Sequence, residues 1–401
     1  MRLCYSSRLF GVRHRRSPHY SDHGDEAVSN PQLPSIERYQ HHLDITGRWC
    51  QRSAEKGKGG SCAHFSPLLG WSNPYPETTG YLIPTLVKLA NHFGDESYRK
   101  TANELGQWLL DIQNEDGSWH GGLHPAKNPN GSVFNTGQIL KGMAALYRDS
   151  EDQRWLEAAS RGAQWLADDV SESGLWPAGD YQASVTPSYY THVAWPMLEI
   201  WQLNQEGSIR KAAERYLDKM LTRITDNGVV SHWGFKDDGP AFTHTIAYTI
   251  RGFQESSRLI NDYDRYAAPM EPALEVIYRK SELSNGRLAG SFDEKWHATG
   301  DFVCLTGNAQ LAICLLLMEE QKPDLRLVNA ATKLVDFVAK VQRQSTPISG
   351  VNGAVAGSYP LWGKYMIARY PNWAAKYFCD SLLMMQTRLA KEQNEQATGT
   401  A

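Results

Sequence analysis

Two histidines stand where three members of a six-fold repeating pattern in the chain have glycine. Thr-Gly pairs recur at Thr79-Gly80, Thr136-Gly137 and Thr306-Gly307, but the matching pairs are Thr191-His192 and Thr243-His244, and a sixth is Asn372-Trp373. Burying an imidazole beside a helix start is costly unless something bonds it, so the two departures mark either a site or a pair of satisfied structural histidines. Tyr248 and Arg251 follow His244 at i+4 and i+7, on one helical face, and Tyr189 and Tyr190 precede His192. A base, a phenol and a cation together are the set that β-elimination of a uronate needs. The base takes the C5 proton, the tyrosine protonates the leaving oxygen, and the cation or an amide neutralises the carboxylate so that the C5 proton becomes acidic.

Carboxylates compete for the same role. Asp180, Asp237, Asp238 and Asp293 fall in long loops, and glycosidic hydrolysis uses two acids flanking the bond. Aromatic residues precede Asp237-Asp238 in the run from Trp233 to Gly239, which otherwise reads as an Asp-Gly turn. Trp119, Trp176, Trp233, Trp296 and Trp362 give five of six long loops one tryptophan each, to stack on sugars or to plug the loops onto the body. His120 is placed at the rim beside them. His120 and His124 form an i,i+4 pair, but in a Gly-containing loop with no third ligand apparent, so no metal is expected. The absence of a Gly-rich phosphate loop and of a dinucleotide fingerprint implies no nucleotide cofactor.

The elements that would position these residues follow from apolar spacing of three and four, which predicts twelve helices. Their spans are 35–52, 79–93, 96–114, 135–148, 151–170, 188–204, 207–225, 243–260, 263–281, 304–320, 324–344 and 370–391. Every second one begins at a Thr or Asn of the series above, roughly every 50 to 65 residues, where the side chain is expected to cap a first-turn N–H. These even-numbered helices are rich in Ala, Gly, Leu and Met, and the odd-numbered ones carry a charged face, which separates an inner from an outer ring. Six such pairs make an all-α (α/α)6 toroid, one domain over residues 35–391, with a basic arm at 1–34 and a polar tail at 392–401. The long outer-to-inner loops then gather at one end, around a ring of inner-helix starts, and a site belongs there.

Composition narrows the partners. In 401 residues, 41 Lys plus Arg face 44 Asp plus Glu, which leaves no basic excess to neutralise nucleic acid. No apolar run approaches the roughly 18 residues of a membrane span. The six cysteines are scattered without a CxxC pair and read as reduced thiols. Arg2, Arg8, Arg13, Arg15 and Arg16 precede the first acid, Asp22, as in an organellar transit peptide, but no apolar core follows as in a secretory signal. A poorly ordered arm and a cytoplasmic location are expected.

Gln113-Asn114-Glu115-Asp116-Gly117-Ser118-Trp119 resembles the QxxDGSW motif of terpene-cyclase and prenyltransferase α/α toroids, without the DxDD acid motif of the protonating cyclases. Over residues 35–391 the architecture resembles (α/α)6 carbohydrate-processing enzymes: polysaccharide lyases, unsaturated-uronyl hydrolases and sugar epimerases. That resemblance implies a carbohydrate substrate and, after toroidal lyases, a tyrosine acid with an asparagine neutraliser, for which Asn135 and Asn308 stand at two further inner-helix starts. The sequence reading is thus a lyase acting on a uronate-containing glycan. A glycoside hydrolase using the loop carboxylates and a non-catalytic glycan-binding toroid stand as alternatives.

Overall fold

The computed structural model describes residues 35–177, 185–236 and 239–399. The basic arm at 1–34 and the acids Asp180, Asp237 and Asp238 lie outside them. Hydrophobicity sorts the helices as expected. α10 (Leu305–Gln321) is buried on every side from Leu305 to Leu317, whereas α5 (Gln153–Asp168) buries only the stripe Trp155, Ala158, Ala159, Gly162, Ala163 and Leu166. The inner ring also contains α2 (Pro76–Phe93), α4 (Val133–Ser150), α6 (Thr191–Asn204), α8 (Thr243–Ile260) and α12 (Asn372–Gly399). Each packs on the next, and α12 returns to α2, which closes an (α/α)6 toroid. The outer ring contains α1 (Ser35–Gly57), α3 (Glu96–Asp111), α5, α7 (Gly207–Leu221), α9 (Glu271–Leu283) and α11 (Leu325–Val341).

Three expectations change. The threonines are not N-caps, because α2 and α4 start earlier, and Thr79 and Thr136 sit where their own N–H already reaches Tyr75 and Ser132 carbonyls. Their hydroxyls instead accept from the incoming loop: Ser61 N–H to Thr79 Oγ1 at 2.9 Å and Trp119 N–H to Thr136 Oγ1 at 3.0 Å. The glycine beside the threonine lets inner helices touch, since a Cβ on Gly80 would sit 2.5 Å from Ile139 Cα. The expected helix over 263–281 opens with a π-turn at Tyr263–Ala267 and a 3-10 turn at Ala268–Met270, where Pro269 and Pro272 withhold N–H donors. α12 continues through Gly399, so the expected tail is helical there.

Short strand pairs stitch the long loops at the inner-helix N-termini. β1 (His64–Ser66) lies between β2 (Gly70–Trp71) and β7 (Tyr370–Pro371), β3 (Ala241–Phe242) pairs with β4 (Ser291–Phe292), and β5 (Val303–Cys304) pairs with β6 (Ser358–Tyr359). Because β3, β5 and β7 lead directly into α8, α10 and α12, these pairs fix where three inner helices begin.

Candidate functional site

His192 and His244 open α6 and α8, neighbours in the inner ring, and Tyr248 lies one turn below His244. The Tyr248 ring stands between the imidazoles, with centroids 4.1 Å from His192 and 4.3 Å from His244. Tyr365 continues the column, 5.2 Å beyond His244. His192 has no exposed surface and His244 is 5% exposed. Each is bonded by a glutamine of an adjacent inner helix. Gln310 Oε1 lies 2.8 Å from His244 Nδ1, and because that oxygen only accepts, Nδ1 carries the proton and Nε2 the lone pair. His192 Nδ1 lies 2.9 Å from Gln138 Oε1 and 2.7 Å from Lys141 Nζ.

Burial dominates the electrostatics. It pushes His244 down to about 4, and with the neighbouring cation Lys141 it pushes His192 well below the usual imidazole range. Both rings are unprotonated bases at neutral pH. Burial raises the Tyr248 phenol well above its usual value, helped by Tyr377 and Tyr81, so it keeps its proton. A base beside a protonated phenol can exchange protons with a sugar carbon and its neighbouring oxygen.

The other expected residues divide differently. Tyr189 and Tyr190 are buried against Phe134, each with ring centroids 5.4 Å from it, and Tyr248 packs on the same ring at 5.5 Å, so all three tyrosines share one aromatic cluster. Arg251 shares a helical face with His244 but lies about 10 Å further along the axis. Its Nε and Nη2 donate to Glu255 Oε1, each at 3.2 Å, which takes it away from the imidazoles. The amides of Asn135 and Asn308 donate to the His120 and Gly286 carbonyls, at 3.0 and 2.8 Å, so they fasten loops instead of facing a substrate. His120 is buried, stacked on His124, and does not line a rim.

Trp119, Trp176, Trp233 and Trp296 are buried plugs with almost no face open for a sugar. The indole N–H groups of Trp119 and Trp176 donate to Leu109 and Leu166 carbonyls near the ends of α3 and α5. Only Trp362 of the five presents its ring, at 77% exposure. Asp293 accepts from the N–H groups of Lys295 and His297 and meets the His297 ring at 3.1 Å, which spends it on its own turn.

Sequence reasoning missed Gln138, Lys141, Gln310, Lys376 and Asp380. Their signal was polar residues at three- or four-residue spacing inside helices otherwise apolar all round, as in Gln138 with Lys141 and Lys376 with Asp380. Lys376 Nζ donates to Asp380 Oδ2 at 2.7 Å. Burial lowers Lys376 to about 8 and would raise Asp380, but Lys376, Lys88 and Arg251 outweigh it and hold the carboxyl below the usual range. Among the described residues no cluster of three or more His, Cys, Asp or Glu could hold a metal, no helix is long and apolar enough to cross a membrane, and five cysteines are buried and unpaired.

No known family's sequence model and no curated relative matches the chain. Solved structures do share its fold. An unsaturated glucuronyl hydrolase specific for heparin is similar with a TM-score of 0.71 and 14% identity, over 88% of this chain and 98% of that one. A second unsaturated glucuronyl hydrolase, from a Bacillus species and responsible for glycosaminoglycan degradation, gives 0.68 and 15% over 86% and 96%. The cellobiose 2-epimerase of Bacillus thermoamylovorans gives 0.71 and 11% over 87% and 98%. At these identities the likeness is one of fold, and it places this chain among the (α/α)6 toroids.

Proposed function

We propose that this protein is a carbohydrate-processing enzyme that moves a proton at a sugar carbon next to a carbonyl, with His244 as the base and Tyr248 as the acid, and that its reaction is an epimerisation. The carrying observation is the column of unprotonated His192, protonated Tyr248 and unprotonated His244 at the inner-helix starts. His244 Nε2 takes the proton, and the Tyr248 O–H stabilises the oxyanion that develops on the adjacent oxygen. The carbon is inverted when water protonates its opposite face and the hydroxide so formed takes back the proton that His244 holds. Hydrolases and an epimerase of carbohydrates on the same fold support a sugar as substrate. Elimination from a uronate has less support, because it needs a group to neutralise the carboxylate, and Arg251, Asn135 and Asn308 are engaged elsewhere.

The test is incubation with a panel of reducing disaccharides in D2O, read by mass and NMR. Deuterium should enter at the carbon beside the carbonyl with formation of the epimer, and His244→Ala should lower kcat by roughly 100-fold or more. Absorbance rising near 235 nm on uronate glycans would replace epimerisation by elimination. Release of reducing ends without deuterium uptake at carbon would replace it by hydrolysis.

A further inference from the structure

A second chamber opens at the other end of the toroid. A cavity of about 450 Å³ is lined by the inner helices below the histidine column, with Lys141, Trp195, Arg251 and Lys376 among its walls and Lys88 and Arg258 toward its mouth. Lys141 and Arg251 each precede the last residue of their helix by more than two turns, so they lie deep in the chamber. Both sit over the Trp195 ring, with Lys141 Nζ 4.1 Å and Arg251 Cζ 4.9 Å from its centroid.

The charge there is unbalanced. Its four acids are already paired: Asp149 with Arg99, Glu199 with Arg148, Glu255 with Arg251 and Arg258, and Asp380 with Lys376. Among the described residues, Lys141 and Lys88 meet no carboxylate, and Arg251 Nη1 is buried with no hydrogen-bond partner. Lys141, Arg251 and Lys376 are all more than nine-tenths buried. The C-terminal dipoles of the inner helices converge on the chamber's mouth and oppose an anion, but that field fades within the last turn and does not reach the buried cations. A buried guanidinium with an unbonded Nη1, beside a lysine whose positive charge burial and its neighbours Lys376 and Arg251 oppose, matches an oxyanion that would compensate both cations.

We propose that this chamber binds a small oxyanion-bearing molecule of up to about monosaccharide size, held by Lys141 and the free edge of Arg251 and drawn in by Lys88. The site is separate from the histidine column, though Lys141 touches both: it meets His192 at one side and the chamber at the other. The test is calorimetric titration of the full chain with inorganic phosphate at low ionic strength, with sodium chloride at matched ionic strength as control. Phosphate should bind saturably. Lys88→Glu at the mouth and Arg251→Lys in the wall should each weaken it about tenfold, as expected for loss of one hydrogen bond to a charged group. Lys88 makes no ion pair among the described residues, so its variant leaves the buried pairs intact, whereas Arg251→Lys disturbs the pair with Glu255. Glucose 6-phosphate binding more tightly than glucuronate would assign a phosphate ester, and the reverse a carboxylate. No saturable binding of any of the three anions, glucose binding as tightly as glucose 6-phosphate, or phosphate affinity unchanged in both variants overturns the proposal.

Discussion

His244 ties acid stability to the site. Its folded value near 4 lies below the 6.5 it has when free, so between those limits the unfolded chain binds more protons and stability falls as pH drops through the window. The shift corresponds to about 3 kcal/mol at its full extent. Urea unfolding across pH 7 to 4 should show that loss, and His244→Gln should flatten the slope; an unchanged slope would mean the ring is protonated in the folded state. The two histidines were legible in the sequence because they broke a repeat. Arg251 was misplaced because spacing of seven residues fixes a shared face but says nothing of depth, and depth decides which chamber a side chain reaches. Lys141 was only half legible, because its spacing from Gln138 marks a polar pair in an apolar helix but carries no mark of His192 on the next helix.

Among elements, the long loops are held by their tryptophans. Trp119 and Trp176 fill space beneath the loops and donate to the carbonyls of Leu109 and Leu166. Replacing either with Ala should cost about 3–5 kcal/mol, seen as a lowered Tm, whereas Trp362→Ala should leave Tm nearly unchanged. Equal effects from Trp176→Ala and Trp362→Ala would refute the distinction. Helix pairs were readable from the apolar period, and the span 243–260 agrees with α8 residue for residue. The strand pairs were not, since two or three residues are too few to alternate. The threonines misled because a hydroxyl near a helix start serves a cap and a loop anchor equally well, and only the position of the first turn separates them.

At the scale of the molecule, the toroid depends on its seam. α12 packs on α2 and on α1, joining the two ends of the described chain. Thr85 Oγ1 donates to Asp380 Oδ1 at 2.9 Å and Asn372 Nδ2 donates to Thr78 Oγ1 at 2.9 Å, across sequence separations of 295 and 294 residues. No residue pattern in the sequence announced these bonds, since each partner reads alone as an ordinary helix polar residue. Asp380→Asn should weaken Lys376 and Thr85 together, lowering Tm more than removal of an exposed pair such as Lys100 with Glu104.

The same seam sets a clock during biosynthesis. A nascent chain that has released α2 from the ribosome must wait for nearly 300 further residues before α12 emerges to cover it. At about 5–20 residues per second that wait is on the order of 15–60 s, during which the face of α2 that carries Tyr81 and Thr85 lacks Tyr377 and Asp380 of α12. Stalled chains ending before residue 372 should therefore be cut readily within α2 by a brief protease pulse, while chains long enough to expose all of α12 should resist. Equal protection at both lengths would mean that an open arc of five inner helices is already a folded unit. Otherwise, chaperones would meet this protein as an unfinished ring.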